Sequence, residues 1–184
     1  MKQGYPETVG YTLGRRAGAA EHLKTISRKF GARAGILRHL KKIGIQNDTL
    51  VRIYTSLIRL VFEYAAACYH PGLTADQSEQ LERLQRISLK VIYGLTTTYQ
   101  ECLRLSGLES LAARRCALFE RFVRNSYGYP RFQSRWFTPK TKSIYPLRTE
   151  KKVCKLFANC DRLQNAPLYK ARKIINEGLC WADI

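Results

Sequence analysis

Two groups of residues have types and spacings suited to holding a polyanion. Lys29, Arg33, Lys41 and Lys42 recur along a segment whose apolar residues follow a helical period. Arg131, Arg135 and Trp136 lie where cations are interleaved with aromatic rings at irregular spacing. Lys and Arg neutralise phosphates and release counterions, and aromatic rings stack on unpaired bases. The chemistry implied is grip on a nucleic-acid backbone, with single strands suiting the second group. A solvated helix face, and aromatics folded back onto helices, are the structural alternatives. Other chemistries lack their residues. The six Cys form no CxxC pair, and no His follows the closest two, Cys154 and Cys160, so a zinc knuckle is not supported. His70 has no neighbour in sequence with which to form a catalytic pair, and no nucleophile, base and acid set is recognisable. Gly31 and Gly35 fall within a helical pattern rather than a phosphate-binding loop.

The charge balance agrees with the first two groups. The chain has 184 residues, 32 Lys and Arg against 14 Asp and Glu, and a net charge of +18. So large an excess on so short a chain points to a polyanion, with nucleic acid the expected one, and away from neutral small molecules. Hydrophobic content of 45% is enough for a core. The most apolar stretch, residues 57–69, is interrupted by Arg59 and Glu63, so no membrane partner is expected. The first residues carry no apolar signal segment, and the cysteines read as free thiols, mostly small core residues. The expected location is intracellular, nuclear or cytoplasmic.

The elements that must position these residues read as helices. Residues 1–19 are Gly-rich and weakly patterned, and are expected to be a disordered lead or a fragment of a preceding segment. A basic helix is predicted from about Glu21 to Lys42, with Leu23, Ile26, Phe30, Leu37 and Leu40 inward and Gly44 ending it. A second opens at Asn47 or Asp48 and runs to Tyr69, with Leu50, Ile53, Tyr54, Leu57, Ile58 and Val61 on one face. Arg59 and Glu63, four apart, are expected to pair. A third spans Ala75 to Tyr93 behind a Thr74–Gln77 capping box, with Leu81, Leu84, Ile87, Ser88, Val91 and Ile92 buried. A short fourth ends at Gly107, and a fifth runs from Glu109 to Tyr127. Beyond Gly128, prolines interrupt, although Leu168 to Asn176 suits a last short helix. The expected fold is all-α: a compact bundle of four to five helices over residues 20–127, with an irregular, basic, aromatic-rich C-terminal extension over 128–184.

Several of these segments carry a further pattern. Residues 50–66 contain L-x-x-x-Y-x-S-x-I-R followed by E-Y-A. Upstream, residues 29–44 read KFGARAGILRHLKKIG. Downstream come His70-Pro71-Gly72-Leu73-Thr74, Gln77, and Leu81-Glu82-Arg83-Leu84-Gln85-Arg86. Tyr99, Glu101 and Leu103 follow, then Gly107-Leu108-Glu109-Ser110-Leu111 and Arg114-Arg115. In this order and spacing, residues 21–125 resemble the thumb region of reverse transcriptases from non-LTR (LINE-type, jockey-like) retrotransposons. Leu60 stands where that family has Pro, and Tyr69 where it has Trp before the His.

The resemblance implies a parent enzyme that copies RNA into DNA with a divalent metal, and a thumb that closes over the template–primer duplex. The family's palm needs adjacent aspartates to hold two cations. The Asp residues here are Asp48, Asp76, Asp161 and Asp183, no two adjacent. The expectation is therefore a non-catalytic fragment that needs no cofactor of its own. Its partners would be RNA or an RNA–DNA hybrid and, where present, the parent's palm domain. A stand-alone helical RNA-binding or protein-interaction module, or a decayed fragment without activity, is the alternative.

Overall fold

The computed structural model describes residues 17–132, Phe137, Val153 and residues 166–178. Among these residues the chain is helical, with no strand, as the all-α reading expects. Residues 1–16 of the expected lead over 1–19, and most of the extension including Arg135 and Trp136, lie outside the described residues, while residues 17–19 fall in the first helix. Helix α1 spans Ala17–Lys42, beginning about a turn ahead of its expected start. Leu23, Ile26, Phe30, Ala34 and Leu37 are buried along it, a 3-4-4-3 stripe that keeps one face inward. Leu40 is only half-buried. Gly44, at φ 87, turns the chain after α1, a backbone that side chains disfavour.

The second predicted helix is divided. Helix α2 (Asn47–Ile53) passes into a π-helical stretch, Tyr54–Arg59, and then α3 (Leu60–Glu63). Two features of the sequence account for the wide turn. Leu50, Tyr54, Ile58 and Phe62 are all buried, four residues apart. On an α-helix each four-residue step overshoots a full turn by about 40°, and a π turn removes part of that drift. The hydroxyls of Thr55 and Ser56 also donate back to the carbonyls of Val51, Arg52 and Ile53, at 3.1, 2.8 and 3.2 Å, which loosens the local helix ladder. The register change overturns one expectation: Leu57 is exposed rather than core, and Tyr64 beyond it is exposed as well. The helix ends at Glu63, the chain turns through Ala65 at a left-handed φ of 56, and helix resumes as α4 (Ala66–Tyr69). The hydroxyl of Tyr69 donates to the carbonyl of Phe62, which α3 leaves without a helical partner where it ends. The expected caps Asn47 and Asp48 lie inside α2. Gln46 precedes it, and the Asn47 amide oxygen instead accepts from Lys41 Nζ at 2.8 Å.

Helix α5 (Ala75–Tyr93) has its predicted bounds and its predicted cap. The Thr74 hydroxyl accepts from the Gln77 amide at 3.2 Å, and the Gln77 side chain accepts from the Thr74 amide at 3.1 Å. Thr74→Ala is expected to remove about 1 kcal/mol of stability in a urea titration, and an unchanged midpoint would show the cap to be idle. Helix α6 (Tyr99–Ser106) opens on Thr98, and α7 (Leu111–Tyr127) on Ser110. Helix α8 (Pro167–Glu177) places Pro at its first turn, where no amide is needed. The Asn176 side chain exchanges two 2.9 Å hydrogen bonds with the backbone of Val153.

The chain divides into two compact units. The first holds α1 to α4 with α5 and α6, and α1 packs on α5, the π-helical stretch and α3. The second holds the short 3-10 turn His70–Gly72 with α7 and α8, which pack on each other and on that turn. The division falls after Leu108, ahead of α7, rather than after residue 127. Helix α7, in the second unit, has Leu111, Arg115, Phe119 and Val123 buried.

Candidate nucleic-acid interface

With Leu23 to Leu37 inward, the opposite side of α1 is left to solvent. Lys24, Arg28, Arg38 and Lys42 are exposed there. At 100° per residue their positions fall within a band of about 80° around the axis, so they form one row. Lys24 and Lys42 are five turns apart, about 27 Å along the axis. Between the two pairs lie Gly31 and Gly35, with no heavy atom within 4 Å of where a Cβ would stand, so the middle of the row is bare backbone. Lys24 has an exposed partner in Glu21 at 3.5 Å. Arg28, Arg38 and Lys42 form no ion pair among the described residues. A duplex carries about one negative charge per 1.7 Å of axis, so a row of this length faces many phosphates.

The α1 residues singled out by sequence do not all share one face. Lys29 is exposed but lies on the flank of α1, about a quarter turn from the row. Arg33 is half-buried, and its Nη1 donates to the carbonyl of Leu57. That carbonyl lies in the π-helical stretch, where the helix ladder is interrupted, so part of Arg33's work is structural. Lys41 is exposed and tethered to Asn47. Lys42 belongs to the solvent row. Arg131, in the second unit, is exposed in the middle of residues 130–132, which are helical. Sequence reasoning missed the row as a unit. The signal was present: Lys24, Arg28, Gly31, Gly35, Arg38 and Lys42 alternate steps of four and three.

Several other arginines are engaged by acidic or aromatic neighbours. Arg59 and Glu63 pair at 2.9 Å as expected. Arg83 and Arg86 approach Glu79 at 3.8 and 3.3 Å, and the Arg86 guanidinium lies 5.1 Å from the centre of the Tyr99 ring. Arg115, despite its charge, is fully buried.

The polar members of the thumb-like signature meet inside the first unit. Tyr54 donates to Gln85 Oε1 at 2.8 Å, Gln85 Nε2 donates to the Tyr99 hydroxyl at 3.0 Å, and that hydroxyl donates to Glu82. Burial leads in raising the phenols of Tyr54 and Tyr99 well above their ordinary value, so both remain neutral donors. This chain of bonds rotates α5 so that Glu82, Gln85 and Leu89 are buried while Ile87 is exposed and Leu84 and Val91 are half-buried. A fully buried hydroxyl left without its acceptor is expensive. Gln85→Leu is expected to lower stability by about 2 kcal/mol. Tyr54→Phe combined with Gln85→Leu should lie closer to the parent than Gln85→Leu alone. A urea double-mutant cycle reads the coupling, and additive losses would show the bond to be inert.

A second meeting of residues distant in sequence occurs in the other unit. Nε2 of His70, a buried residue, is 3.4 Å from Cys116 Sγ. Burial, then Arg115, then Lys170, pushes the imidazole down to about 4. Burial is also the largest influence on the Cys116 thiol, which is raised. Both shifts favour neutral partners, the reverse of the thiolate–imidazolium pair of a cysteine nucleophile. Cys102 is buried, Cys116 half-buried and Cys68 exposed, all as free thiols, so only the first fits a small core residue. Among the described residues no cluster of His, Cys, Asp or Glu could hold a metal ion, and no helix is long and apolar enough to cross a membrane. Comparison of the chain with protein-family models, curated proteins and solved structures found no match.

Proposed function

We propose that this chain is the thumb and C-terminal region of a LINE-type reverse transcriptase, a non-catalytic piece that grips an RNA template–DNA primer duplex through its backbone. The observation that carries the nucleic-acid part of this reading is the solvent row of α1. Lys24, Arg28, Arg38 and Lys42 are exposed on one face, and only Lys24 has an acidic partner among the described residues. A long cationic helix face suits the phosphates of a roughly A-form hybrid, which is followed by shape and charge without reading sequence. The family part of the reading rests on the ordered motifs over residues 21–125. The divalent-metal chemistry of such an enzyme belongs to a palm with paired aspartates, and this chain supplies the grip alone.

Fluorescence anisotropy with labelled duplexes tests the proposal. The full chain should bind RNA–DNA hybrids of unrelated sequence with similar affinity, and added divalent metal should not be required. Binding confined to one sequence, or no binding to any hybrid, defeats it. Retention of hybrid binding with no contribution to DNA synthesis alongside a family palm domain would favour the stand-alone RNA-binding module.

A further inference from the structure

Besides its cationic row, the first unit exposes an apolar ridge that its core does not use. Leu57, Leu60 and Tyr64 follow one another at steps of three and four residues, so they share a face across the π-helical stretch, α3 and the residue after it. They are 43, 58 and 53% exposed. Two observations place cations along one edge of that ridge. Arg33 reaches from α1 to the carbonyl of Leu57. At the other end of the ridge, His22 bonds to the backbone of Tyr64 and feels the charge of Lys29. Lys29 therefore lies on the flank of α1 between these two points, one turn from Arg33. Glu63, the acid nearest in sequence, is engaged by Arg59 at 2.9 Å.

We propose that Leu57, Leu60 and Tyr64, edged by Lys29 and Arg33, form a docking ridge for an acidic amphipathic helix of a partner protein. Side chains at such spacing fill the grooves between turns of a facing helix. Closing an apolar contact beside two cations leaves them partly desolvated, and a flanking Glu or Asp on the incoming helix offsets that loss. A second copy of this chain is the wrong occupant, because two bodies of charge +18 repel. The ridge lies about a quarter turn of α1 or more from the solvent row, so the inference does not depend on the nucleic-acid reading.

The test uses the full chain and two labelled synthetic helical peptides. Both carry Leu at alternating three- and four-residue steps. One has Glu beside the Leu stripe, the other Lys. By anisotropy the Glu peptide should bind at least about tenfold tighter than the Lys peptide. Leu57→Ser with Leu60→Ser should weaken the Glu peptide by about tenfold or more, with the thermal midpoint held because both residues are exposed. Lys29→Glu should weaken it as well. Arg121→Glu, an equal change of charge in the second unit, should not. Equal loss from Lys29→Glu and Arg121→Glu would reveal only bulk charge attraction and overturn the proposal. So would unchanged peptide binding by the Leu57/Leu60 variant. Loss of RNA–DNA hybrid binding by that variant, with peptide binding intact, would assign the ridge to nucleic acid and overturn it too.

Discussion

Raising KCl from about 50 to about 200 mM should weaken binding of an RNA–DNA hybrid by roughly 10²-fold to 10³-fold. Each phosphate neutralised by a Lys or Arg releases condensed counterions, so the logarithm of affinity falls linearly with the logarithm of salt concentration. The α1 row offers four exposed cations on one face, with Lys29 and Lys41 beside it. About five contacts give a change of that size over this range. Arg28→Glu with Lys42→Glu should lower affinity at low salt and flatten the salt slope by about two contacts' worth. Neither residue has an ion pair among the described residues and both are exposed, so the urea midpoint should move little. The effect should be the same for hybrids of different sequence. A flat salt response, or a double variant with the parental slope, would remove α1 from the interface.

The second large effect is acid sensitivity centred on His70. In the unfolded chain its imidazole takes a proton near 6.5, whereas in the folded chain it resists protonation until about 4. Unfolding therefore binds a proton within that window. The stabilisation is fully present above about pH 6.5 and is lost as the pH falls towards 4. A shift of this size corresponds to a change on the order of 3 kcal/mol across the window. Cys116 on α7 touches the imidazole, and the charges of Arg115 on α7 and Lys170 on α8 act on it. Arg115 and Lys170 are cations, so an imidazolium formed there meets repulsion as well as desolvation. His70→Gln should leave stability between pH 4.5 and 7 less dependent on pH than in the parent, read as the difference between the two chains' urea midpoints. Parallel pH profiles for the two chains would show that His70 does not carry the acid transition.

These two expectations separate the residues that meet solvent from those that hold the fold, a distinction that motif order does not make. In the thumb-like signature, Tyr54, Glu82, Gln85 and Tyr99 form a buried hydrogen-bond chain, and Thr74 with Gln77 closes a helix cap. His70 and Arg115, also in the signature, are buried in the second unit. Of the row available to a polyanion, Lys24 and Arg28 lie outside the quoted motifs, and Arg38 and Lys42 lie within them. A strongly patterned sequence can therefore report how a helical unit is built more directly than what its surface touches.

The sequence by itself determined the all-α class, the α5 bounds and capping box, the inward stripe of α1, and the Arg59–Glu63 pair. Each is local: a period, a cap or a four-residue spacing acts within a few turns of one helix. The excess of cations on α1 was equally legible. Only the tertiary structure decided that Arg33 braces the π-helical stretch and that Leu57 and Tyr64 face outward. It also brought Tyr54 to Gln85 and His70 to Cys116, across 31 and 46 residues. A buried donor must find an acceptor wherever the packing brings one, and four core residues spaced by four stay on one face only when a helix turn widens to hold them.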